Sequence, residues 1–241
     1  MQPLVSIILT VYEIDTEYLN TCLNSLLAQT YENIEIILVN DCSPTINYDY
    51  VLNLSPKIKL YKNDINLGMN KTIIKGFSLA RGKYIVRIGP DDYIDKSLIA
   101  KEVDILEKNK KIGTVCCNLR QFEQSTRLIT RPMTWDINLI LNGKLQGTGY
   151  DGGMMFRRSL LPRVSINTEH KVCIDFDLQM QLLQLMPIQT LPEYLYYYRR
   201  NDKCISHSVQ GAARRAIMKK IIAERKSKIA AKKPRKKEKY F

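Results

Sequence analysis

Two hydrophobic periods alternate through the first half of the chain, and that alternation limits the fold more than any other feature. Val5–Thr10 is a short apolar run. Leu19, Cys22, Leu23, Leu26 and Leu27 then recur at i, i+3, i+4, i+7 and i+8, the spacing of a helix buried along one face. Ile34–Val39 is continuous and rich in β-branched residues, as in a strand covered on both sides. Ile58–Tyr61 reads as a third strand. Met69, Ile73, Ile74, Phe77 and Ala80 mark a second helix, with Gly82 on its C-terminal side. Tyr84–Ile88 is a fourth strand, and Leu98, Ile99, Val103 and Leu106 give a third helix. Strands and helices alternating in this way predict an α/β fold, a mostly parallel sheet flanked by helices.

In such sheets the ligand crevice lies beyond the carboxyl ends of the strands. Thr10 and Tyr12, then Asp41, then Asp91 and Asp92 stand just there. Any one of these is an ordinary turn or cap residue. Together they bring acidic groups and an aromatic ring to one edge. The adjacent carboxylates Asp91 and Asp92 suit a hard divalent cation, Mn2+ or Mg2+, shared with substrate phosphates. The chain has no G-x-x-x-x-G-K-[ST] loop, no G-x-G-x-x-G after a strand and no G-x-S-x-G elbow. A P-loop NTPase, a dinucleotide dehydrogenase and an ordinary α/β-hydrolase are therefore disfavoured.

The second half is less regular. Ile112–Leu119 and Gly152–Phe156 read as strands, Asp175 opens a helix, and Tyr194–Tyr198 is an aromatic strand. A polar connection carrying Trp135 joins the first two. Among the six cysteines there is no C-x-x-C pair, which fits a reducing cytoplasm. The net charge of +13 is unevenly placed: thirteen basic and two acidic residues from Arg214 to Phe241 give +11, leaving +2 for the rest. A nearly neutral domain with a basic tail is not the footprint of a nucleic-acid-binding domain, so no nucleic acid is expected. The tail suits either a solvated terminus or peripheral attachment to anionic lipid at the inner membrane face.

The blocks PLVSIILTVYE, LNSLLAQTYENIEIILVNDCSPT, NLGMNKTIIKGFSLARGKYIVRIGPDDYID, GGMMFRRSLL and CIDFDLQMQLL…YLYYYRRNDKCISHS follow one another over residues 3–208. In this order they resemble an inverting family-2 glycosyltransferase of GT-A fold. The resemblance implies a GT-A domain over residues 1–210, with a nucleotide-binding half to about residue 110, an acceptor half beyond it, and a basic extension over 211–241. Thr10, Tyr12 and Asp41 match positions that cradle the nucleotide base. Asp91 and Asp92 match metal and ribose positions, Asp175 the general base, and His207 a histidine near the metal. Arg199 falls where a basic residue often approaches the diphosphate. The donor implied is a nucleotide sugar, most commonly a UDP-sugar. The acceptor is a glycan, a lipid-linked sugar or a protein side chain.

Three departures stand against the pattern. Gly89 replaces the first aspartate of D-x-D-D, Ile174 replaces the glutamate of the E-D pair, and Glu13 replaces the asparagine usual after Tyr12. Asp177 is a second candidate base, turned away from Asp175 on a helix. Gly89 and Ile174 also allow a non-catalytic member that binds a nucleotide sugar without turning it over.

Overall fold

The computed structural model describes residues 2–44, 48–133, 135–142, 152–169, 173–201 and 211–232. The expected alternation is present, with one short helix added. In chain order the first half runs β1 (Val5–Val11), α1 (Thr16–Leu27), β2 (Ile34–Asn40), α2 (Tyr48–Leu54), β3 (Ile58–Lys62), α3 (Met69–Leu79) and β4 (Tyr84–Arg87). It continues with β5 (Tyr93–Ile94) and α4 (Leu98–Lys108). Helix α1 starts where Asp15 accepts the Glu17 N–H at 2.9 Å, and it buries the predicted face of Leu19, Cys22, Leu23 and Leu26. The second half holds β6 (Thr114–Glu123), β7 (Leu128–Ile129), α5 (Ile137–Leu141) and β8 (Met154–Arg157). A short 3-10 helix (Arg158–Arg163), α6 (Ile174–Leu185), β9 (Ile188–Arg200) and α7 (Gly211–Lys232) follow.

One mixed sheet runs β3-β2-β1-β4-β8-β6-β9-β5, with β7 paired to β6. The pairs β1–β2, β2–β3, β1–β4 and β6–β9 are parallel. Strand β8 enters antiparallel between β4 and β6 and joins the two parallel groups. Alternate residues of β1 divide the core. Val5, Ile7 and Leu9 join α1 and α4 on one face. Ile8 joins α3, α6 and α7 on the other, with Ile37, Phe77, Phe156, Phe176 and Ile221. The basic segment from residue 211 thus begins as a helix packed on the domain: Ile221 is buried, and Ile217, Met218, Ile222 and Ile229 lie against the same cluster. No helix among the described residues is long and apolar enough to cross a membrane.

Candidate active site at the carboxyl edge of the sheet

Parallel registry sets β1, β2 and β4 ending side by side. Thr10 pairs with Val39 and Val11 with Asn40, while the Ile88 N–H reaches the Ile8 carbonyl. Thr10 is partly buried and Tyr12 is 48% exposed, its ring open to a ligand. Asp41 is buried. Its Oδ1 accepts the Leu67 N–H and the Asn63 side-chain amide, both at 2.8 Å, and its Oδ2 accepts the Gly68 N–H at 2.8 Å. These bonds fix the loop that opens α3, where a negative charge also meets the positive helix end. A carboxylate has about four acceptor positions, so one remains for a further donor.

Asp91 and Asp92 part company. Asp92 is buried, and both its oxygens hold β9: Oδ1 accepts the Arg199 N–H at 2.8 Å and Oδ2 accepts the Tyr196 hydroxyl. Burial first, then the neighbouring Asp91 charge, pushes its carboxyl well above the usual range. Asp91 is only partly buried, and burial raises its carboxyl while Arg199 and Arg87 oppose the rise. Of the two carboxylates among the three expected metal residues, Asp91, Asp92 and His207, Asp91 is the one left for a cation. That suffices for Mg2+ or Mn2+ when diphosphate oxygens and water complete the shell. Among the described residues no group of three or more His, Cys, Asp or Glu is arranged to hold a metal. His207 lies outside the described residues.

Arg199 is a buried hub. Its Nε donates to the Asp91 carbonyl at 2.8 Å and its Nη1 to Glu123 at 3.1 Å. Its guanidinium lies 3.8 Å from the Tyr18 ring centroid and 4.6 Å from that of Phe122. Tyr18, Glu123 and Tyr196 are site residues that sequence reading missed, because their partners lie about a hundred positions away.

Helix α6 carries Asp175. The Gly113 N–H bonds the Pro187 carbonyl just after α6, at the amino end of β6. Since β6 and β9 run parallel, α6 runs back from the carboxyl side of the sheet toward the amino edge, with its first turn on the carboxyl side. Asp175 Oδ1 accepts the Phe176 N–H at 2.9 Å, and Oδ2 lies 3.9 Å from Arg214 Nη2 of α7. Asp177 turns inward: it is buried and takes a two-pronged ion pair from Arg225 at 2.6 and 2.5 Å. Gln181 adds a third bond at 3.1 Å. Arg81 and Lys83 precede β4 and belong to the opposite edge, where they pair with Glu35 and Glu107.

Among the described residues, four non-glycines have positive φ: Glu13 (46°), Cys42 (65°), Glu123 (74°) and Cys173 (64°). Glu13 and Cys42 directly follow Tyr12 and Asp41, Glu123 holds Arg199, and Cys173 precedes Asp175 by two positions. Such backbone is uncommon outside glycine, and it collects where a fold over-determines a site.

A model of glycosyl transferase family 2 matches residues 6–164. A Haemophilus influenzae protein described as an uncharacterized glycosyltransferase is 29% identical over 237 residues, covering 92% of this chain and 73% of the relative. The Bacillus subtilis glycosyltransferase EpsJ, likewise uncharacterized, is 27% identical over 224 residues, covering 86% of this chain and 64% of the relative. The crystal structure of S. aureus TarS 1-349 in complex with UDP-GlcNAc superposes with a TM-score of 0.72 at 18% identity. That match covers 86% of this chain and 61% of the other. The chain thus spans less than two thirds of the length of the last two.

Proposed function

The chain belongs to glycosyl transferase family 2, and from that premise we propose that it moves a sugar, with inversion, from a UDP-sugar to a glycan, lipid-linked or protein acceptor. The observation that carries this reading is the gathering of positive-φ backbone around Tyr12, Asp41, Arg199 and Asp175. The likeness to a structure holding UDP-GlcNAc, and to another holding UDP, supports the donor.

In this reading the Tyr12 ring stacks on the base, Thr10 lines its edge, and the remaining acceptor position of Asp41 takes a base N–H. Asp91 would hold Mn2+ or Mg2+, which supplies neutralisation of the leaving diphosphate. Asp175 removes the proton from the acceptor hydroxyl. The freed oxygen forms its bond to the anomeric carbon while the bond to the diphosphate breaks, and the nucleoside diphosphate leaves with that electron pair. The burial of Asp177 against Arg225 supports Asp175 over it as the base. The test is Asp175→Asn, which is expected to lower transfer by about 10²- to 10⁴-fold while calorimetric UDP binding persists. Undiminished transfer would remove Asp175 from the role. A second reading, binding without turnover, draws on Gly89 and on the engagement of both Asp92 oxygens. UDP binding by a wild-type chain that transfers no sugar from any UDP-sugar would favour it.

A further inference from the structure

Helix α7 has two unlike faces. The inner one carries Ile217, Ile221 and Ile222, packed on the core, and Arg225, locked to Asp177. Around it Arg215, Lys219, Lys220, Lys226 and Lys228 are all exposed. None of these five has an ion-pair partner among the described residues, although Lys and Arg elsewhere in the domain commonly do. Arg215, Lys219 and Lys226 fall at i, i+4 and i+11, a single ridge about 16 Å long at 1.5 Å per residue. Half-buried Ile222 falls at i+7 within the ridge, and the small, exposed Ala216, Ala223 and Ser227 lie on its solvent side.

We propose that this ridge docks the domain on an anionic phospholipid surface. The apolar face of α7 is occupied by the protein's own core, so the helix does not insert into the bilayer. Attachment is by charge alone. A lipid surface fits better than a nucleic acid because the chain up to residue 213 is nearly neutral at +2, and so does not extend the basic charge of the tail over the domain. The Arg225–Asp177 clamp holds the ridge rigid against α6, so contact with the surface fixes the orientation of the whole domain. The inference stands apart from the sugar-transfer reading, and its test needs no activity.

Co-sedimentation of the full chain with two kinds of vesicle reads it directly: phosphatidylcholine alone, and phosphatidylcholine with about 30% phosphatidylglycerol to supply a negative surface potential. Retention on anionic vesicles only, lost as salt rises several-fold, is the expected result. Each basic residue near such a surface contributes about fivefold. R215E/K219E/K226E should therefore weaken binding by about a hundredfold or more. K96E/K108E/K111E makes the same change in net charge on exposed positions in and beside α4, and should weaken it far less. Circular dichroism confirms that both variants fold. Equal weakening by the two triple variants, unchanged retention of the ridge variant, or equally tight binding to a short RNA at the same salt would each overturn the proposal.

Discussion

Asp91 and Asp92 are adjacent in sequence, yet one faces the site and the other fastens a strand. Gly89 shows why the local motif departs from D-x-D-D. A Cβ placed there would lie 2.4 Å from Asp92 Oδ2 and 3.1 Å from Asp91 Oδ1. Asp92 cannot yield, being held by Tyr196 and Arg199. Restoring the usual residue as Gly89→Asp is thus expected to cost about 1–3 kcal/mol, read as a lower melting temperature. Glu102 gives a second prediction at this scale. It is buried on α4 with no hydrogen-bond partner for either oxygen among the described residues. Burial raises its carboxyl well above the usual range, and Arg131 opposes the rise more weakly. Below the unfolded value near 4.5 both states hold the proton. As pH rises, the unfolded chain ionises first, so stability falls. Glu102→Gln removes that slope. The variant should match the wild type near pH 4 and exceed it at pH 8, because only the wild type then carries the cost of ionising a buried carboxyl. Urea titrations at the two pH values decide it, and a constant offset would refute it.

Among the elements, β9 and α7 do most to assemble the site. Pairing along β9 slips: Leu191 faces Cys117, Tyr194 faces Asn118, and Tyr196 faces Leu119. Pro192, which lacks an N–H, sits in the first slip. The re-phased strand buries Tyr196 and sets the Arg199 N–H on Asp92. Helix α7 is tied by Arg225 to Asp177. Arg225→Met alone would strand a buried carboxylate and should cost about 3–5 kcal/mol. Asp177→Leu with Arg225→Met should recover most of that, because removing both charges leaves neither unpaired. Chemical denaturation of the two variants reads the difference. The periodicity of Ile217, Ile221 and Ile222 announces a helix here. Nothing local announces that its inner arginine pairs with an aspartate of α6, since burial of a charge is decided by what meets it.

At the scale of the whole molecule, the chain is legible where structure is local. The longer strands and helices up to α4 each show their own period, and registry alone then gathers Thr10, Tyr12, Asp41 and Asp91 at one edge. Beyond α4 the fold depends on distant partners. Strand β8 slots antiparallel between β4 and β6, and the hairpin formed by β7 reads only as polar chain in sequence. Trp135 reads as part of a connection, yet its indole N–H donates to Thr190 at 2.9 Å and its ring is buried. The Asp177–Arg225 pair also has a consequence in time. A ribosome makes Asp177 48 residues before its partner. At 5–20 residues per second the interval is roughly 2–10 s. Throughout it the nascent domain carries an uncompensated carboxylate on α6, so the last described helix supplies the cation that ends that vulnerable stage of synthesis.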